Sequence, residues 1–329
     1  MEKLIRRHGN GLVAKLMNNL GGSLRDLRRC GDHRSNKATF IEMGIQLSGF
    51  KHALSDSTAF NQLLQTAREA NAASYVLPQV TFNVKVRQLK HYQIPVYALN
   101  ERGLEQPVIV YLTGGAYIQA PDKTHWQYLN ALAQQTGARV YVPIYSLAPQ
   151  NNFRAAYQEI AQLYGNLYQR VPASDITLMG DSAGAGLALG FSEYLGQRGL
   201  PQPGHLILIS PWLDLDLQNP VIDRYEKDDV TLSRMGLRRI ADIWAGDVDH
   251  RDYRLSPLFG NVDQLRDVYV FAGTKEIMYP DAARLVEKLK TAGIPVHFTI
   301  GRGMFHIYPL YPVPEAEKAM QQVKKVVNS

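Results

Sequence analysis

The stretch Asp175-Ile-Thr-Leu-Met-Gly-Asp-Ser-Ala-Gly184, running on into Ala185-Gly-Leu-Ala-Leu-Gly-Phe-Ser-Glu-Tyr-Leu195, decides how the rest of the chain is read. An apolar, β-prone run ends at Met179 and a helix-like run begins at Ala183. Between them stands Gly-x-Ser-x-Gly, with Gly180, Ser182 and Gly184. A turn that passes from strand directly into helix has no room for side chains at its outer positions, so glycine occupies both. The serine is left at the apex, its hydroxyl outward and close to a helix N-terminus. A capping serine in an ordinary tight turn is the alternative, and the strand–turn–helix context argues against it.

Outward from this turn, strands and helices alternate. Residues 106–112, 139–144, 176–179, 205–210, 268–272 and 296–300 read as strands. Residues 125–135, 153–170, 183–197, 280–292 and 315–327 read as helices. Upstream, residues 80–86 and 94–99 read as two further strands, joined closely enough to be antiparallel. The continuous apolar character of 106–112 is that of a strand covered on both faces. The whole predicts an α/β fold: a mainly parallel eight-stranded sheet with helices on both sides.

Two regions break the pattern. Residues 213–257 have no strong strand, a helix-like piece near 233–244 and many scattered aspartates, among them Asp214, Asp216, Asp229 and Asp252. The aspartates show no metal-ligand spacing, and a solvated surface is the expectation. The other region is 1–75. Apolar residues recur at helical spacing from Leu12 to Leu27, with Gly21-Gly22 as a break, and a further helix is expected over 58–70 behind the capping candidates Ser55, Asp56 and Ser57. The predicted organisation is a helical cap segment (1–75), a core (76–212 and 258–329) and a cap insertion (213–257).

A serine hydroxyl is a weak nucleophile near neutral pH. It needs a base to take its proton and an acid to orient that base. In an open parallel sheet such groups collect beyond the carboxyl ends of strands. Glu276 follows strand 268–272 through Gly273, and His306 follows strand 296–300 through Gly301. Asp281 suits the start of the next helix better than the acid's role. His297 sits inside a strand, and His125 is a candidate to line the pocket. Attack on an ester carbonyl creates an oxyanion that fixed backbone N–H groups stabilise. The expected donors are the amide of Ala183 and the loop Thr113-Gly114-Gly115-Ala116-Tyr117 after the third strand.

Composition sets wider bounds. The 329 residues are 45% hydrophobic, which suffices for one large domain with elaborations. The single cysteine, Cys30, excludes an internal disulfide and a multi-cysteine zinc site. The N-terminus has no signal core and no apolar run approaches bilayer length, so a cytoplasmic protein without stable membrane insertion is expected. A net charge of +6 comes with no nucleic-acid motif. The basic N-terminal stripe suits packing on the protein's own body better than an anionic lipid surface.

Several segments together resemble the hormone-sensitive-lipase-like branch of the α/β-hydrolase esterases. They are Tyr111-Leu-Thr-Gly-Gly-Ala-Tyr117, Tyr145-Ser-Leu-Ala-Pro149, Gly180-Asp-Ser-Ala-Gly184, Ser210-Pro-Trp-Leu-Asp214, Ser256-Pro-Leu258 and the loops of Glu276 and His306. The resemblance spans roughly residues 76–328. It implies Ser182 as nucleophile, His306 as general base and acid, and Glu276 as the acid. It also implies oxyanion donors at Gly115, Ala116 and Ala183, with Gly114 shaping the loop, and hydrolysis of short or medium acyl esters without a cofactor. Tyr117, Ile118, Trp126 and Trp212 are then candidates for the pocket wall. The chain departs from the branch at Thr113, where a histidine usually opens the oxyanion loop, at Glu276, where aspartate is usual, and at Ala116, Ser146 and Gln150. An amidase, formamidase or thioesterase would use the same machinery, and a ligand-binding relative would lack a triad member. The natural ester is open, and so is a homo-oligomer.

Overall fold

The computed structural model describes residues 34–329 apart from His91 and Leu104. The apolar stripe at residues 12–27, the Gly21-Gly22 break and Cys30 lie outside the described residues.

Among those, eight strands form one sheet: β1 (Val86–Leu89), β2 (Val96–Leu99), β3 (Val108–Leu112), β4 (Arg139–Pro143), β5 (Ile176–Asp181), β6 (His205–Ile209), β7 (Asp267–Gly273) and β8 (Val296–Gly301). Their order is β1-β2-β4-β3-β5-β6-β7-β8. The pairs β1–β2 and β2–β4 are antiparallel, and every later pair is parallel. The described helices are α1 (Asn36–Ser48), α2 (Phe50–Ser55), α3 (Ser57–Ala72), α4 (Lys123–Thr136), α5 (Phe153–Tyr168), α6 (Ala183–Gln197), α7 (Asp223–Glu226), α8 (Arg234–Ala245), α9 (Tyr279–Thr291) and α10 (Pro314–Val327).

The two-residue period of a strand divides the core. Val108, Val110 and Leu112 of β3 pack with α5, α6 and α9 on one face. Ile109 and Tyr111 pack with α4 and α10 on the other. Burial on both faces explains why these strands read as unbroken apolar runs. Because β3, β5, β6, β7 and β8 run the same way, the loops that follow them collect at one edge of the sheet.

The strand expected at 80–86 is not formed: β1 starts only at Val86. The alternation there has another cause. Val80, Phe82 and Val84 lay their side chains on the α4–α10 side of the core, and the Asn83 amide donates to the side chain of Asn130 at 2.8 Å instead of to a neighbouring strand. Alternating burial was legible; the absence of a pairing partner was not.

Residues 213–257 carry α7 and α8 and no strand. The α8 helix crosses α2 so closely that a Cβ on Gly236 would stand 2.3 Å from the Leu54 carbonyl oxygen. Lys51 donates to the carbonyls of Glu226 and Asp229, and the Arg239 guanidinium lies 3.7 Å above the Phe60 ring. The helices before the sheet thus join the insertion. The sequence led to the expectation of a solvated surface for the aspartates there, and two of them depart from it. Asp214 and Asp229 are buried and spend their oxygens on backbone amides: Asp214 on Asp216 and Gln218, Asp229 on Thr231, Leu232 and Ile277. No helix among the described residues is long and apolar enough to cross a membrane.

Candidate active site

Ser182 stands between the end of β5 and the start of α6 with φ 52° and ψ −121°. Such a backbone is strained for a residue with a side chain, and its surroundings must hold it there. They do so through close packing. A Cβ on Gly184 would meet the Leu112 carbonyl oxygen at 2.1 Å, so only glycine lets α6 start this near β3. The Ser182 amide donates to Ile209 at 2.8 Å, and its carbonyl accepts from Trp212 at 3.1 Å.

His306 and Glu276 reach the same place. The Ser182 hydroxyl lies 2.9 Å from His306 Nε2. His306 Nδ1 donates to Glu276 Oε2. All three residues are buried. Glu276 Oε1 accepts from the Ser210 hydroxyl at 2.9 Å and from the Gly273 amide at 2.7 Å, so the longer glutamate arm is held at both oxygens. Burial alone would lower the affinity of the His306 ring for a proton. The hydrogen bond and charge of Glu276, helped by Asp229 and Asp181, outweigh it and raise its pKa above the ordinary histidine value.

The loop after β3 curls beside Ser182. Gly115 has φ 126°, Ala116 52° and Tyr117 62°. The Thr113 carbonyl accepts from the Tyr145 hydroxyl at 2.6 Å. The Gly114 amide donates to Asp181 Oδ1 at 3.0 Å, and a Cβ on Gly114 would sit 2.4 Å from Asp181 Oδ2. Ala183 is the first residue of α6, where a helix cannot satisfy its own N–H groups.

A cavity of about 730 Å³ opens over Ser182 and His306. Gly115 and Ala116 line it, as does His125. Its apolar wall comes from α1, through Phe40, Ile41 and Ile45, and from Leu232 of the insertion. The four wall residues proposed from sequence are elsewhere. Tyr117 is stacked between Trp244 (4.3 Å between centroids, 4° between planes) and Trp212 (5.4 Å, 29°). Trp126 packs edge-on to Tyr97. All four, Ile118 included, are core residues. Large aromatic side chains near a motif are more often packing than lining, and here packing wins. His297, on β8, is exposed and takes no part.

Sequence reasoning missed four supports of this geometry. Asp181, at the variable position inside the turn, anchors the loop. Ser210 bridges two loops, since its hydroxyl also accepts from the Ile307 amide at 3.0 Å. Asp229 accepts from the amide just after Glu276 at 2.9 Å. Lys275, just before Glu276, pairs with Glu42 of α1 at 2.7 Å. Asp181 alone carried a signal: a charge embedded between an apolar strand and an apolar helix.

The chain matches the alpha/beta hydrolase fold family over residues 109–310, more than half its length. It is 32% identical over 250 residues to an esterase of Acinetobacter venetianus, covering 75% of this chain and 82% of that one. It is also 32% identical over 216 residues to an acetyl-hydrolase of Streptomyces hygroscopicus, covering 65% and 72%. Among solved structures, a Staphylococcus aureus protein gives a TM-score of 0.80 at 28% identity, over 83% of this chain and 94% of that one. A hormone-sensitive lipase from a metagenome library gives 0.76 at 24% identity, over 88% and 98%, a likeness of fold. The strand order, the serine turn and these relatives agree: the chain belongs to the alpha/beta hydrolase fold family.

Proposed function

We propose that this ester hydrolase is a serine carboxylesterase acting on short to medium acyl esters, with Ser182 as nucleophile, His306 as general base and acid, and Glu276 orienting the imidazole. The observation that carries it is the unbroken hydrogen-bonded path from the Ser182 hydroxyl through both nitrogens of His306 to Glu276. His306 takes the serine proton as the hydroxyl attacks the ester carbonyl. The amides of Gly115, Ala116 and Ala183 receive the oxyanion, each worth on the order of 3 kcal/mol, and Gly114 lets the loop lie close. His306 then returns the proton to the departing alcohol. Water, deprotonated by the same ring, attacks the acyl-serine and releases the acid. No step needs a cofactor.

Esters rank above amides and thioesters because relatives at 32% identity are named esterase and acetyl-hydrolase. The name acetyl-hydrolase supports a short acyl group, and the apolar wall from α1 supports longer ones. A purely ligand-binding role would need a broken triad, and all three side chains are in reach of one another. The cap is read as α1–α3 together with residues 213–257. A reducing cytoplasm is the proposed compartment, on the single cysteine.

The test is a series of p-nitrophenyl esters of increasing acyl length, with matched amides and thioesters. Ser182→Ala is expected to lower kcat/KM by about 10⁴-fold or more, and a fluorophosphonate should label Ser182 alone. Full activity in Ser182→Ala, or labelling at another residue, sinks the assignment.

A further inference from the structure

His125 has no role in the reaction as proposed, yet it lines the same cavity as Ser182. It is the third residue of α4, and its ring is bracketed by two carboxylates. Nδ1 lies 2.7 Å from Asp122 Oδ1, and Nε2 faces Asp181 Oδ2 at 3.4 Å. Asp181 has no exposed surface at all. Its Oδ1 accepts from the Gly114 amide and the Tyr111 hydroxyl, both at 3.0 Å. Its Oδ2 has no other hydrogen-bond donor, and His125 Nε2 has no other acceptor, among the described residues. A fully buried carboxylate with a free oxygen is strongly disfavoured unless a cation stands beside it.

We propose that His125 is a positioning residue: it stands as an imidazolium against Asp181 and, through Asp181, holds the oxyanion loop at Gly114 in place beside Ser182. The inference rests on the reading of Ser182 as nucleophile and of that loop as the oxyanion binder. The chain of contact is short. Gly114 donates its amide to one oxygen of Asp181, and a Cβ on it would stand 2.4 Å from the other, the one that His125 faces, so a carboxylate that turns moves the loop with it. Burial by itself would lower the pKa of His125. The carboxylates of Asp181 and Asp122 outweigh burial and raise it to about 10, even in the first turn of a helix, where the helix dipole opposes positive charge.

Two variants of the full chain separate this role from packing. His125→Asn keeps a donor toward Asp122 but is too short to reach Asp181. His125→Gln reaches Asp181 without the charge. The expected result for His125→Asn is a fall in kcat of about 10–100-fold with KM changed less than about threefold. A trifluoromethyl ketone analogue of the tetrahedral intermediate should lose affinity by the same factor, and His125→Gln should recover part of both losses. Unchanged kcat in folded His125→Asn overturns the proposal, as does a fall in kcat with analogue affinity intact. Imidazole ¹⁵N shifts of the wild-type chain at about pH 8 give a readout that needs no variant: both nitrogens of His125 should be protonated. A neutral ring overturns the proposal even where both variants fail to fold. Failure of the Ser182 reading is separate, since it shows in Ser182→Ala and in the labelling site, neither of which depends on the state of His125.

Discussion

The Glu276 carboxylate is held from two sides, by His306 at one oxygen and by Ser210 and Gly273 at the other. Because the Ser210 hydroxyl also takes the Ile307 amide, one small side chain fixes the acid and the histidine loop relative to each other. Ser210→Ala is expected to lower kcat about tenfold with little change in KM, measured under saturating and limiting ester. The charge state of His306 sets a second outcome. In the proposed mechanism only its neutral form accepts the serine proton, and its pKa lies above the ordinary value of about 6.5. Activity should therefore fall on acidification with a midpoint above about 6.5 in the kcat/KM profile; a midpoint well below that contradicts the effect of Glu276. That Ser182, Glu276 and His306 would meet was legible in the sequence because each follows a strand end marked by glycine. Of Asp181 only the embedded charge was legible, not the loop it holds; Ser210 was not legible at all, since its partners depend on which strands are neighbours. β6 lies beside β7, and no periodicity reveals that.

At the scale of elements, the sheet and most helices were legible because burial imposes regular periods. The strand 80–86 misled because an unpaired extended segment can alternate as a strand does. The α1 helix, which forms the apolar wall of the cleft, went unread for the opposite reason. Its apolar residues do not form one buried stripe: Phe40 and Leu47 are exposed while Ala38 is buried, so the helical period is blurred. Its cap was present, with the Ser35 hydroxyl accepting from Ala38 and Ser35 also donating to Glu315 at the start of α10. If α1 sets acyl length, narrowing the cleft should shift preference. Ile45→Trp is expected to cut kcat/KM for octanoyl esters by about tenfold or more while sparing acetyl esters. An unchanged chain-length profile would remove α1 from the acyl site.

For the molecule as a whole, one buried charge bears on stability. Glu193, on α6, is almost fully enclosed, and neither carboxyl oxygen has a hydrogen-bond partner among the described residues. Burial raises its pKa well above the ordinary value, with the nearby Lys288 charge opposing only in part. A carboxyl raised in the folded state holds a proton that the unfolded chain has released. Its contribution is full below the unfolded pKa and is eroded as pH rises toward the folded one. Glu193→Gln should therefore raise Tm by a few degrees at about pH 8, with the gain shrinking toward about pH 4.5. A lower Tm at both pH values would mean that the attraction of the Lys288 charge outweighs the cost of burial.

The aromatic sandwich at Tyr117 has a consequence for traffic. Trp244 belongs to α8, Trp212 follows β6, and Tyr117 belongs to the loop beside Ser182. Swinging α8 outward like a door would peel one slice from the sandwich and tug on a backbone already bent to positive φ at Ala116 and Tyr117. The cleft over Ser182 is walled by α1 and not by α8, so stapling α8 to the body should leave turnover running.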